Sequence, residues 1–170
     1  MTTIMEGPLA FGFPAGCLAS KYDDWAFYRN QFQLIAGGCK GIDILCVEDE
    51  VSWLIEVKDY RHHRRTKTID IADELAIKVR DTLAGLATAA KVANDVDECR
   101  LARQSLAKKR RWRVVLHLEQ PAIPSKLRPK AINTANLLLK LRTRKLKAVD
   151  AHPIVCDRAN LHSRIPWTVQ

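Results

Sequence analysis

Residues 38–65 read "GCKGIDILCVEDEVSWLIEVKDYRHHRR". Two apolar runs, "IDILCV" and "VSWLIEVKDY", flank the short acidic connection Glu48–Glu50, and both are enriched in β-branched residues. That is the pattern of a β-hairpin. Gly37, Gly38 and Gly41 mark the turn leading into it. Side chains alternate along a strand, so Val51, Trp53, Ile55 and Val57 share one face while Ser52, Leu54, Glu56 and Lys58 share the other. Asp43 falls with Leu45 and Val47. Closing the hairpin lays the strand of Asp43 beside that of Glu56, and the matching faces bring two carboxylates and an ammonium together.

Working outward, "WAFYRNQFQLIA" from Trp25 is aromatic-rich and reads as a strand. After "RHHRRTK", apolar residues from Asp70 to Ser105 recur on one helical face, with Asp70 as N-cap and Asp73 and Glu74 in the first turn. "WRVVLHLEQP" returns to strand and stops at Pro121. A second helix is expected to begin near Pro129 and run through "INTANLLLKLRTRKLKAV", and "HPIVCD" to add a short last strand. The order defines an α/β domain. No repeat or Gly/Ser-rich linker divides the chain, so one domain is expected, with a core at about 20–120 and a basic helical extension at about 121–170.

The 170 residues are 47% hydrophobic, enough for one sizeable core. Five cysteines without a CxxC pair fit thiols in a reducing compartment, and a cytoplasmic location is expected. The segment "MTTIMEGPLAFGFPAG" lacks a basic n-region, and no apolar run approaches the ~20 residues of a membrane span, so no membrane partner is expected. Charge is uneven along the chain. Residues 100–147 carry 15 Lys+Arg against 1 acid, whereas residues 1–99 carry 11 against 16. A block of this kind suits a nucleic acid, whose phosphates release counterions when neutralised. GxxxxGK[ST] and GxGxxG loops and a nucleophile elbow are absent, and neither His nor Cys has zinc spacing.

Two carboxylates held close raise each other's pKa unless a cation sits between them, and a hard divalent ion serves that purpose. Asp43, twelve further residues and then Glu56-Val57-Lys58 resemble the motif of the PD-(D/E)xK nucleases. The order of hairpin, long helix and strand is similar to the restriction-endonuclease-like core, over roughly residues 20–120. The resemblance implies a central mixed sheet whose β-hairpin carries the site, flanked by helices. It also implies Mg²⁺, with Mn²⁺ as a substitute, held by Asp43, Glu56 and the Val57 carbonyl, with Lys58 assisting a water. Phosphodiester hydrolysis follows from that set, with DNA preferred over RNA as substrate. Ile42 stands where the motif name has Pro, and Asp23 or Asp24 is the candidate for an additional acid.

Backbone contacts are expected from Arg61, Arg64, Arg65, Lys108, Lys109, Arg110, Arg111, Arg142, Arg144 and Lys145. With no separate recognition domain in the sequence, target recognition is expected from loops, from a homodimer or from a partner subunit. The alternative is a non-catalytic nucleic-acid-binding protein on the same fold.

Overall fold

The computed structural model describes residues 1–63, 65–121 and 132–170. The hairpin forms as its alternation predicts, from β4 (Ile44–Val47) and β5 (Val51–Asp59), antiparallel with Ile44 opposite Ile55 and Leu45 opposite Leu54. It lies inside a five-stranded mixed sheet. β3 (Leu18–Lys21) borders β4, and β6 (Arg111–Glu119) and β7 (Ile154–Cys156) continue beyond β5 in the order β3-β4-β5-β6-β7. The last three strands run parallel, which requires helical crossovers between them.

Crossover from β5 to β6 uses α2 (Ile71–Val92) and α3 (Val96–Ser105). The single helix expected over Asp70–Ser105 is therefore two. Asp70 caps α2 as expected, accepting the N–H of Ala72 at 2.8 Å. Asp95 breaks the run, its carboxylate accepting the N–H groups of Asp97 at 2.8 Å and Glu98 at 3.0 Å and starting a new helix. The expected helix start at Pro129 lies outside the described residues. From Thr134 the chain is helical, as α4 (Thr134–Lys140) followed by one wide π turn, Leu141–Lys145.

The stretch from Trp25 is not a strand. It forms α1 (Ala26–Asn30) and a 3-10 segment, Phe32–Gly37. The Glu98 carboxylate, from α3, accepts the N–H groups of Ala26 at 2.6 Å and Phe27 at 3.0 Å. A charged cap delivered across the fold thus overrides the β preference of the aromatic residues, while Phe27, Tyr28 and Phe32 pack into the core beside Tyr22.

Each face of the sheet has its own apolar layer. Leu45, Val47, Leu54, Val114 and Leu116 pack against Leu75, Val79 and Leu86 of α2 and against Leu137 and Leu141. Ile44, Trp53, Ile55, Val57 and Val115 meet a small antiparallel sheet in the order β1-β2-β8, made of β1 (Thr2–Glu6), β2 (Leu9–Phe13) and β8 (Thr168–Val169). Fully burying such side chains stabilises the fold by about 1.5–3 kcal/mol each, so both layers matter. Gly85 lets α2 approach closely: a Cβ there would lie 2.1 Å from Tyr22 Oη. Among the described residues no helix is long and apolar enough to cross a membrane.

Candidate functional site

The hairpin face carrying Leu45 and Leu54 turns toward α2, and Asp43 and Glu56 sit on that face. The Asp43 N–H donates to Ile55 O at 3.1 Å, just where the β4–β5 ladder ends at Ile44 opposite Ile55, which holds Asp43 beside the strand of Glu56. Both acids are buried, Glu56 at 1% exposure. Asp43 Oδ2 accepts the N–H of Val57 at 2.6 Å, which holds the carboxylate against the strand.

Lys78 of α2 completes the arrangement. Its Nζ lies 2.6 Å from Glu56 Oε1 and 3.2 Å from Asp43 Oδ1, between the two carboxylates. On the other side Lys58 Nζ is 2.6 Å from Glu56 Oε1 and 3.5 Å from Glu74 Oε1. Glu74 in turn pairs with Lys67 and, at 2.8 Å, with Arg65. Acids and bases alternate through Asp43, Lys78, Glu56, Lys58, Glu74 and Lys67.

Protonation follows from burial and these neighbours. Burial, reinforced by the charge of Asp43, pushes Glu56 up to about 7 against the pull of Lys78 and Lys58. Burial works against the charge on Lys78, but Glu56 and Asp43 outweigh it and raise its pKa. Glu74 is also disfavoured by burial, yet Lys67, Lys58 and Arg65 bring it down to about 2. Asp23 rises to about 6 through burial and the charge of Asp43, so it belongs to the same electrostatic neighbourhood. Asp24 faces outward, 3.7 Å from Lys21 and 3.6 Å from Arg29. A cavity of about 530 Å³ adjoins the cluster and is lined by Asp23, Tyr28, Lys40, Asp43, Lys67 and Lys78.

As folded, the cation between Asp43 and Glu56 is the Lys78 ammonium, and the second oxygen of Asp43 is engaged by the backbone. These residues form a lysine-bridged acid pair. Among the described residues no group of three or more His, Cys, Asp or Glu converges as a metal-binding cluster. Sequence reasoning brought Asp43, Glu56 and Lys58 together and missed Lys78 and Glu74. Their signal was present: Glu74 and Lys78 are four apart, one turn along the same side of α2, each next to a core residue, Leu75 or Val79.

The predicted basic contacts divide into two groups. Arg61 is held by both oxygens of Asp59, at 2.9 and 2.7 Å, and Arg65 by Glu74. Arg110 donates to the carbonyls of Glu48 at 2.6 Å and Gln104 at 3.1 Å, so it braces the hairpin tip against α3. Lys145 pairs with Asp73, and Arg111 lies 3.8 Å from Glu50. Lys108, Lys109, Arg142 and Arg144 are exposed and have no acidic partner among the described residues. Arg64 lies outside the described residues. His117 is buried, its Nε2 3.0 Å from Glu119 Oε1, and burial lowers its pKa.

With this geometry in place, comparison with known proteins gives one informative relative. The chain is similar to the cysteine–tRNA ligase of Neisseria meningitidis serogroup A / serotype 4A (strain DSM 15465 / Z2491), 31% identical over 208 aligned residues. The match takes in 99% of this chain and 30% of the ligase, so the chain spans less than a third of its relative. No protein-family model and no solved structure matches. The relative corrects the expectation of a metal-dependent nuclease cutting DNA in preference to RNA: the similarity runs the length of the chain and leads to a ligase of cysteine and tRNA.

Proposed function

We propose that the chain is an RNA-binding module of an aminoacyl-tRNA ligase-type protein, acting in the cytoplasm, with tRNA as the class of RNA it contacts. The observation that carries this reading is the similarity to a cysteine–tRNA ligase across 99% of the chain, a shared portion equal to 30% of that enzyme. The module contributes contact with RNA to a ligase reaction and does not itself cut the strand. Further support comes from the exposed basic side chains Lys108, Lys109, Arg142 and Arg144, which have no acidic partner among the described residues and suit a phosphate backbone. The order β3-β4-β5-β6-β7 and the position of Asp43, Glu56 and Lys58 on its central hairpin support a restriction-endonuclease-like core as the scaffold. In this reading the charged ladder beneath α2 orients the helix on the sheet.

The test is binding of the purified chain to tRNA, an unstructured RNA and duplex DNA at several salt concentrations. Tighter binding to tRNA than to duplex DNA at equal salt, weakening as salt rises, is expected. No binding to any RNA, or equal affinity for duplex DNA, refutes the reading.

A further inference from the structure

Between α4 and β7 lies a pocket of about 290 Å³, near the lower end of the range for small-ligand sites. Its floor is apolar, made by Leu138, Pro153 and Ile154, and no carboxylate lines it. Arg113 stands in the wall with its charge already matched: Nη1 lies 3.0 Å from Asp150 Oδ1. Asp150 is buried, and the same carboxylate accepts the N–H of Val114 at 2.9 Å and of His152 at 2.8 Å. One acid therefore fixes the Arg113 guanidinium and the start of the loop bearing His152 and Pro153.

Arg142 and Arg164 are exposed and have no acidic partner among the described residues, and His152 and His162 are exposed beside them. Two unmatched guanidiniums over an apolar floor suit a nucleotide. Their planar forks match phosphate oxygens, while an unstacked base finds imidazole rings and a proline to lie against. Arg144, exposed two residues beyond Arg142 in the same π turn, extends the positive surface past the pocket, as a strand requires and a lone nucleotide does not.

We propose that this pocket holds one unpaired nucleotide of a single-stranded RNA segment, its phosphate on Arg142 and Arg164 and its base on the floor beside His152 and His162. The proposal rests on the RNA-binding reading above and adds the place on the surface and the unpaired state of the nucleotide.

The experiment is fluorescence anisotropy of the full chain with a labelled single-stranded RNA of about 12 nucleotides, within the range of sites on strand-binding proteins. It compares wild type, Arg142→Ala/Arg164→Ala and a control, Lys91→Ala/Arg100→Ala, that removes the same charge from α2 and α3. Circular dichroism melting confirms that all three fold. Roughly tenfold weaker binding is expected for the pocket variant alone, with a slope of log K against log salt smaller by about 0.7–1.4, one or two phosphate contacts. An equal loss in the control, or no loss in the pocket variant while wild type binds RNA, overturns the pocket and leaves the RNA reading intact. Competition by a nucleoside monophosphate at the same concentration as the strand overturns the strand as occupant. Absence of RNA binding by wild type overturns both.

Discussion

Replacing Lys78 by methionine removes the cation from between Asp43 and Glu56 while keeping most of the aliphatic stem against the sheet. The ammonium lies 2.6 Å from one oxygen of Glu56, 2.8 Å from the other and 3.2 Å from Asp43 Oδ1, so one substitution leaves two buried carboxylates with Lys58 alone as counter-charge. Removing one partner from a buried pair costs about 3–5 kcal/mol, and that loss is expected at pH 8. The pH dependence provides the sharper test. Glu56 sits at about 7 in the folded wild type, above its ordinary 4.5, so the native state binds the extra proton. Wild-type stability from this group is therefore fully present below pH 4.5 and declines by about 3 kcal/mol as pH rises to 7.

Without Lys78 the native carboxyl rises further, since opposite charge within a few ångströms lowers a carboxyl by about 1–3 units. Moving from pH 8 to pH 5, one bound proton adds about 1.4 kcal/mol per unit, over all three units in the variant but only the last two in wild type. The deficit of the variant should thus shrink by about 1.4 kcal/mol between pH 8 and pH 5. Urea titrations followed by tryptophan fluorescence measure it directly. A deficit under about 1 kcal/mol at pH 8, or one that grows toward pH 5, refutes the bridged-pair account.

Two further perturbations probe the packing around the site. Gly85→Ala should destabilise by about 1–3 kcal/mol despite the better helix propensity of alanine, because its methyl group meets Tyr22 Oη and the Phe32 ring. Adding Tyr22→Phe, which deletes a buried hydroxyl lacking a hydrogen-bond partner, should restore most of the loss; purely additive effects in urea titration would contradict this. Glu98→Gln should cost about 1 kcal/mol by weakening the charged cap on α1, with the loss visible first as faster amide exchange at Ala26 and Phe27; unchanged exchange there would remove the cap from the explanation.

How much of this was legible depended on the range of the interactions involved. The hairpin of residues 42–58 carries its own register, since the short acidic connection fixes which residues of the two strands face each other and side chains alternate along each strand. It therefore placed Asp43, Glu56 and Lys58 on one surface. Lys78 reaches that surface only because α2 crosses it, and nothing within the hairpin encodes the rotation of the helix. The 26–37 stretch misled for a related reason: aromatic residues favour strands locally, while the carboxylate that caps α1 comes from about 70 residues away. The β1-β2-β8 sheet likewise joins the two ends of the chain, with Gly12 opposite Thr168.

By itself the sequence determined the α/β class, the central hairpin, the caps at Asp70 and the basic character of residues 100–147. All of these depend on local periodicity, local hydrogen bonding or charge count, which need no knowledge of distant neighbours. Only the tertiary structure decided which charges remain available to a partner. Arg61, Arg65, Arg110 and Lys145 are taken up internally, whereas Lys108, Lys109, Arg142 and Arg144 stay free among the described residues. It also decided that the cation of the acid pair is Lys78, because ion pairing between elements depends on distances of a few ångströms that are fixed only when helix and sheet pack.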